Sequence, residues 1–216
     1  MIILASGGLS GGFSSAIAGG KFVDGFRQGI ITSGLNHIAH DIVGTIQFNK
    51  ELRDFLIDAG YEGKLYEFAN LSNEQIGEFA AKVFPDLYNS ANKPKFEVLD
   101  LIDDKPNIMG RALKTVTVDS KGIYTVKSNG LIQIKKQVLL SYFHLASVVG
   151  HELNHVIDHV DGTYQKWANH YKDIKAGNVY SELKAYGWEL SLKSPYTNHE
   201  EYIALQKIQN SNKWKF

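Results

Sequence analysis

A long run of apolar residues precedes a cluster of histidines and predicts a buried helix. Residues 137–150 are mostly apolar, and Val156, Ile157 and Val160 continue an apolar face beyond them. Gly162 follows at a position where glycine commonly ends a helix, because it adopts the left-handed conformation without strain. We therefore predict a long core helix that ends just before Gly162.

Helical spacing of apolar residues also runs through residues 50–95. Ser72 and Gln75 have the spacing of a capping box, in which each side chain accepts a hydrogen bond from the other residue's backbone, so a helix is predicted to begin there. Pro85 is predicted to end this helix, because the residue before a proline is disfavoured in helical geometry.

Between residues 113 and 135 the apolar pattern changes to the two-residue period of β-strands. The dipeptide Asn129-Gly130, preceded by Ser128, is typical of a tight turn between two strands. Three short strands are predicted, at residues 113–118, 123–126 and 132–134, and this turn lies between the second and the third.

These patterns together predict an α+β fold that is mostly helical, with a small antiparallel sheet immediately before the long helix. A second capping box, at Thr197 and Glu200, predicts a terminal helix that packs on the core. The length of 216 residues suits one domain with a sizeable core.

Composition narrows the function classes. The formal net charge is zero, which argues against an electrostatic nucleic-acid binder. Cysteine is absent, which excludes disulfides and thiolate-bound zinc. No apolar run reaches the length of a transmembrane helix, and the apolar stretch at residues 1–5 lacks the basic residues of a signal peptide.

The predicted core helix contains the sequence His151-Glu152-Leu153-Asn154-His155, which has the spacing H-E-x-x-H. Histidines four residues apart lie on one helical face, so both imidazoles can bind one metal ion. Glu152 can then act as the general base that takes a proton from a zinc-bound water. Buried polar groups need partners, and this makes a zinc site the favoured interpretation of the motif.

A catalytic zinc usually has three protein ligands. His159 is a poor third ligand, because residues eight apart in a helix lie about 12 Å apart along its axis. A carboxylate from a later helix is the better alternative, and residues 181–190 have helical spacing. Glu189 and Asp158 are rival acids; Asp158 could instead orient His155, or be a surface residue near the helix end.

The segment Glu182-Leu183-Lys184-Ala185-Tyr186 resembles the E-x-x-A-Y segment of gluzincin-type zinc metallopeptidases. The resemblance implies that His151, His155 and Glu182 bind zinc in a zincin-like fold, and that an edge strand holds an extended substrate. Tyr186 stands where thermolysin-like enzymes have an aspartate, four residues after the ligand glutamate. Its hydroxyl could assist the transition-state oxyanion, or its ring could be a core aromatic.

Residues 1–48 are rich in glycine and serine. Gly-Gly-Lys-Phe-x-Asp-Gly-Phe-x-Gln-Gly at 19–29 and Ser-Gly-Leu-Asn-His at 33–37 resemble the junction before the C-terminal toxin of Rhs/YD-repeat polymorphic toxins. This resemblance implies a junction at residues 1–48, a toxin domain at 49–216, an Rhs/YD-repeat shell, delivery to a target cell and a cognate immunity protein.

The resulting hypothesis is a secreted zinc metallopeptidase toxin that hydrolyses protein or peptide bonds, with Glu152 and Tyr186 as its catalytic residues. Two alternatives stay open. One is a zinc amidase that cleaves a non-peptide or cell-wall amide with the same ligands. The other is a binding or delivery module in which the zinc is structural.

Overall fold

The structure is a computed structural model that describes residues 50–103, 108–192, 197–212 and 214–216. The predicted junction at residues 1–48 lies outside the described residues. The described chain is α+β, as the sequence predicted, and within the described ranges no helix is both long and apolar enough to cross a membrane. Its α-helices are α1 (Lys50–Asp58), α2 (Asn73–Val83), α3 (Pro85–Ser90), α4 (Tyr142–Val160), α5 (Thr163–Tyr171), α6 (Ile174–Ser191) and α7 (His199–Ser211).

The first three helices confirm the helical pattern of residues 50–95. Ser72 caps α2 in the predicted capping box, with Gln75 completing the reciprocal bond. Pro85 does more than end α2, because it also occupies the first turn of α3, where its missing N–H costs no hydrogen bond. The buried faces of α1 and α2, including Leu56 and Phe79, pack into the same apolar core as α4.

The sheet is mixed, not purely antiparallel as predicted. It contains β1 (Lys95–Leu99), β2 (Gly110–Val118) and β3 (Tyr124–Lys135) in the order β1-β3-β2. β2 pairs with β3 antiparallel, whereas β1 pairs with β3 parallel, with Lys95 opposite Leu131. The prediction missed β1 because five residues at the end of a helical region are too few to show a strand period.

The predicted turn at Ser128-Asn129-Gly130 is wrong, since these residues lie inside β3. The pairing of β2 with β3 shifts register at this point, and Gly130 has a φ of 65°. The Asn129-Gly130 pair therefore lies at an irregularity within β3. Such an irregularity needs the same left-handed backbone conformation as a turn. The hairpin closes instead at Asp119–Ile123, where the Asp119 carboxylate accepts the N–H groups of Lys121 and Ile123.

Helix α4 is the central element of the core. It begins later than predicted, because residues 136–140 form a 3-10 turn and Ser141 caps the helix by accepting the His144 N–H. The predicted end is confirmed: the helix stops at Val160, and Gly162 has a φ of 79°. Nearly all of its 19 residues are buried, so the motif does lie on a core helix.

Helix α6 returns across α4 and packs on it closely. A Cβ atom built on Gly150 of α4 would lie 1.9 Å from Cη2 of Trp188, so the indole ring lies directly on the helix backbone. The two helices are therefore held at a separation that only glycine at position 150 allows. The terminal helix α7 packs on α6, but its cap is Asn198, which accepts the Glu201 N–H, and the predicted box at Thr197 and Glu200 is wrong by one residue.

Candidate metal centre

The structure brings the three predicted ligands together. Nε2 of His151 and Nε2 of His155 lie 3.0 Å apart, one turn along α4. Oε2 of Glu182, from α6, lies 3.5 Å from each of these nitrogen atoms. Both imidazoles are buried, while Glu182 is partly exposed. Among the described residues these three form the one group of histidine and acidic side chains whose donor atoms converge closely enough to hold a metal ion.

The other ring nitrogen of each histidine already has a partner. Nδ1 of His151 lies 3.1 Å from Oε1 of Glu189, a buried carboxylate that can only accept. Nδ1 of His155 lies 2.8 Å from Oγ of Ser181, whose hydroxyl proton is donated to Asp158. Both imidazoles therefore carry their proton on Nδ1, which leaves an unprotonated Nε2 on each when the ring is neutral.

Two such lone pairs facing each other at 3.0 Å repel unless a positive charge, either a proton or a metal ion, lies between them. A third donor, the Glu182 carboxylate, faces the same point. Two imidazole nitrogens and one carboxylate oxygen are the ligand set of many catalytic zinc sites. The residues present thus fit a divalent metal ion, and they leave its side toward the cleft free for another ligand.

The rival acids have other roles. Glu189 is the partner of His151, and the fully buried Asp158 accepts from Ser181 and forms an ion pair with Lys184. The expectation that Asp158 is a surface acid is wrong, and its alternative role is supported because it holds Ser181 against His155. Sequence reasoning missed Ser181, although its place directly before the ligand glutamate is a usable signal.

Charge coupling is strong within this group. Burial raises the pKa of Glu182, but the charges of His155 and His151 and their hydrogen bonds outweigh it and hold the pKa far below its usual range. Burial lowers the pKa of His151, but Glu182 and Glu189 outweigh it, and the pKa is well above its usual value. The site thus favours a cation at its centre and an ionised Glu182 beside it.

Glu152 lies beside this group, beneath the edge strand β2. Burial raises its pKa, although the nearby imidazoles oppose this effect. The Ala112 backbone N–H donates to the Glu152 carboxylate, and within the described chain Oε2 has no partner. A Cβ atom built on Gly110 would lie 2.6 Å from Oε1 of Glu152, so the glycine lets the backbone of β2 lie directly against this carboxylate. A buried carboxylate with a raised pKa and a free oxygen suits general-base chemistry.

Tyr186 also lies at the site, but its hydroxyl is engaged. The ring centroid lies 4.8 Å from that of His151, and the hydroxyl donates to Oε2 of Glu201 at 2.8 Å. Burial, followed by the nearby Glu182 charge, raises the pKa of Tyr186, so the phenol stays protonated. The ring supports His151, and the hydroxyl would have to leave Glu201 to reach an oxyanion.

His159 is not part of the converging group, in agreement with the spacing argument. It is buried, its Nδ1 has no partner among the described residues, and burial, with Lys114 and His155, lowers its pKa to about 3. His144, seven residues before His151, lines the cleft, and burial lowers its pKa to about 4. Both histidines are therefore neutral at pH 7.

A cleft of about 870 Å³ opens over the site. Its floor is α4 with His151, His155 and Glu152, and one wall is the edge strand β2. Within the described ranges no strand pairs with the outer edge of β2. The cleft is therefore large enough for several residues of an extended chain, and it offers backbone hydrogen-bonding groups along one side.

Comparison of the chain with protein-family models, with curated protein sequences and with solved structures found no match.

Proposed function

We propose that this chain is a zinc-dependent metallopeptidase with a zincin-like arrangement, in which His151, His155 and Glu182 bind the metal. One observation carries the proposal: two imidazole rings, each with its Nδ1 atom held by a hydrogen-bond partner, turn their Nε2 atoms toward each other and toward Glu182, beside a buried Glu152. The same three donors also suit ferrous iron, but a neighbouring general base favours hydrolysis.

Zinc bound there supplies Lewis-acid chemistry, which polarises a carbonyl group and makes water a nucleophile near neutral pH. Glu152 takes the proton of the attacking water, and its raised pKa lets it hold that proton until the leaving amine accepts it. Glu189 and Ser181 hold the two imidazoles in one orientation and one tautomer throughout.

The open edge of β2 favours an extended peptide as the substrate. Ala112 and Gly110 lie directly against Glu152, so a chain paired with this strand passes over the reacting groups. Backbone hydrogen bonds to the strand would hold any sequence, while side chains facing the cleft provide selectivity. This arrangement favours a peptidase over an amidase that cleaves non-peptide amides. The open cleft also argues against a structural zinc, since structural sites are closed.

We further propose that the peptidase is the toxin domain of a Rhs/YD-repeat effector that is delivered to a target cell. The resemblance of the sequence at residues 19–37 to the junction of such effectors supports this proposal. A toxin of this kind needs an immunity protein in the cell that produces it. Expression of residues 49–216 in a susceptible bacterium tests the proposal. We expect growth arrest with the wild-type domain and normal growth with Glu152→Gln; arrest with both proteins would contradict a peptidase toxin.

The chemistry is tested with purified protein. We expect about one zinc per chain by elemental analysis, and cleavage of proteins in a bacterial lysate that stops on addition of a chelator. Glu152→Gln should keep the zinc and lose the cleavage, whereas Glu182→Ala should lose both. Cleavage by Glu152→Gln at the wild-type rate would overturn the mechanism, and release of peptides from peptidoglycan with no protein cleavage would favour the amidase.

A further inference from the structure

Lys114 of β2 is a cation inside the cleft that forms no ion pair with a described residue. Its ammonium lies 4.6 Å from the ring centroid of Tyr164, and no carboxylate of a described residue forms an ion pair with it. Arg111, three residues earlier, also lines the cleft but is paired with Asp103. Lys114 is therefore the basic side chain of the cleft that a ligand can still engage.

The wall around Lys114 is fixed in place. Tyr164 is buried, and its hydroxyl donates to Oδ1 of Asn178, which also lines the cleft. The ring of His159 packs on the edge of Tyr164, with centroids 5.3 Å apart. A cation held on a rigid aromatic face loses little conformational freedom when an anion binds to it, which makes it a good recognition group.

The position of Lys114 relates it to the reacting groups. Ala112 donates its backbone N–H to Glu152, and Lys114 lies two residues further along the same strand. Both residues line the cleft, although the pairing of β2 with β3 shifts register between them. Residues two apart in an extended strand are roughly 6–7 Å apart. A chain paired with β2 has the same repeat, so a side chain within about two residues of the cleaved bond comes opposite Lys114.

The charges of the site change when a metal binds. Burial lowers the pKa of Lys114, and Glu182 is the largest influence opposing this effect. When the Glu182 carboxylate neutralises part of the charge of a bound divalent cation, less of the negative charge of Glu182 is available to compensate the Lys114 ammonium. The half-buried ammonium is then best compensated by an anion that enters the cleft with the substrate.

We propose that Lys114 binds a carboxylate of the substrate chain, which makes it the specificity-determining residue for a carboxylate near the cleaved bond. The inference rests on the proposed function, because it takes an extended peptide along β2 as the ligand. The carboxylate belongs either to an aspartate or glutamate side chain or to the C-terminus of a short peptide, and the shared chemistry is a single carboxylate beside the cleaved bond.

The test measures peptide binding to zinc-loaded Glu152→Gln protein by fluorescence anisotropy. The probes are fluorescent hexapeptide pools with capped ends, mixed at uncharged positions and fixed as Glu or as Gln at the third position. A further pool keeps the Gln but has a free C-terminal carboxylate. We expect one carboxylate-bearing pool to bind roughly 10-fold to 100-fold more tightly than the capped Gln pool, as for a hydrogen-bonded charge pair.

A second substitution, added to the Glu152→Gln protein, tests whether Lys114 is the residue that binds the carboxylate. Lys114→Gln should abolish the preference, and Lys114→Glu should transfer it to a pool fixed as Lys. Lys121→Gln, on the exposed turn of the same hairpin, is the matched control and should keep the preference. Equal binding of all the pools, no binding of any pool, or a preference that survives Lys114→Gln would overturn the inference.

Cleavage separates this inference from the proposed function. Wild-type protein that cleaves peptides with neither an acidic residue nor a free C-terminus favoured near the cut site would contradict the role of Lys114 and leave the peptidase standing. Conversely, Lys114-dependent binding of a carboxylate pool with no cleavage of any pool or lysate protein would overturn the peptidase and leave the carboxylate site standing.

Discussion

The buried carboxylate of Glu189 lies 3.1 Å from Nδ1 of His151, across 38 residues of sequence. It fixes the tautomer of the imidazole and raises its basicity toward a metal. We predict that Glu189→Gln weakens zinc binding roughly 10-fold to 100-fold, as substitutions of such partners do. Competition with a chromophoric chelator measures the affinity. Glu200→Gln, on the exposed start of α7, is the control and should bind zinc as the wild type does.

Ser181 holds the second imidazole through a relay that ends at Asp158 and Lys184. Ser181→Ala removes the acceptor for the His155 Nδ1–H and leaves Asp158 without one of its donors. We expect zinc affinity to fall by about 10-fold, since a buried donor loses its partner. Ser181→Thr keeps the hydroxyl and should retain most of the affinity. Equal affinity of the alanine variant and the wild type would show that the relay does not orient His155.

The contact between Gly150 and Trp188 predicts an unusual response to alanine. Alanine normally stabilises a helix relative to glycine by roughly 1 kcal/mol. At position 150 its Cβ would lie 1.9 Å from the indole ring, so we expect Gly150→Ala to destabilise the protein by about 1–3 kcal/mol through overpacking. The matched control is Gly187→Ala on α6, where no atom of the described residues outside the local helix backbone lies within 4 Å of the new Cβ and stability should rise. Urea unfolding measures both, and a stabilised Gly150→Ala would contradict the close packing of α4 and α6.

His144 predicts a loss of stability in acid. Burial lowers its folded pKa to about 4, whereas an unfolded histidine has a pKa of about 6.5. Between these values the unfolded chain binds more protons, so stability falls as pH decreases from about 6.5 to 4 and levels off below that. The contribution is up to about 3 kcal/mol. Urea midpoints at pH 7.5, 6 and 5 in the presence of chelator should fall less steeply for His144→Gln. Parallel pH profiles would contradict this assignment.

Local patterns in the sequence predicted the helices and the motif well. The capping box at Ser72 and the glycine that follows α4 are local signals, and both were confirmed. The H-E-x-x-H spacing predicts that His151 and His155 share one helical face, the E-x-x-A-Y segment indicates Glu182 on a later helix, and the three side chains do lie together. What the local patterns could not give was the contact between these helices.

The missed features all depend on contacts distant in sequence. β1 is a strand because β3 offers it an edge 36 residues away, and its own five residues carry little signal. Ser181 and Glu189 are partners of the two imidazoles because α6 packs on α4. Asn129-Gly130 predicts a turn, and the prediction is wrong because turns and strand irregularities both need a residue in the left-handed conformation.

The open edge of β2 also bears on how the protein behaves at high concentration. An unpaired strand edge can recruit any other strand, including the same edge of a second copy. Two β2 edges in antiparallel register can bring Lys114 of one copy near Lys114 of the other, and like charges across a strand pair are destabilising. The lysine that we propose as the partner of a substrate carboxylate would therefore also discourage self-association and leave the edge available to a ligand.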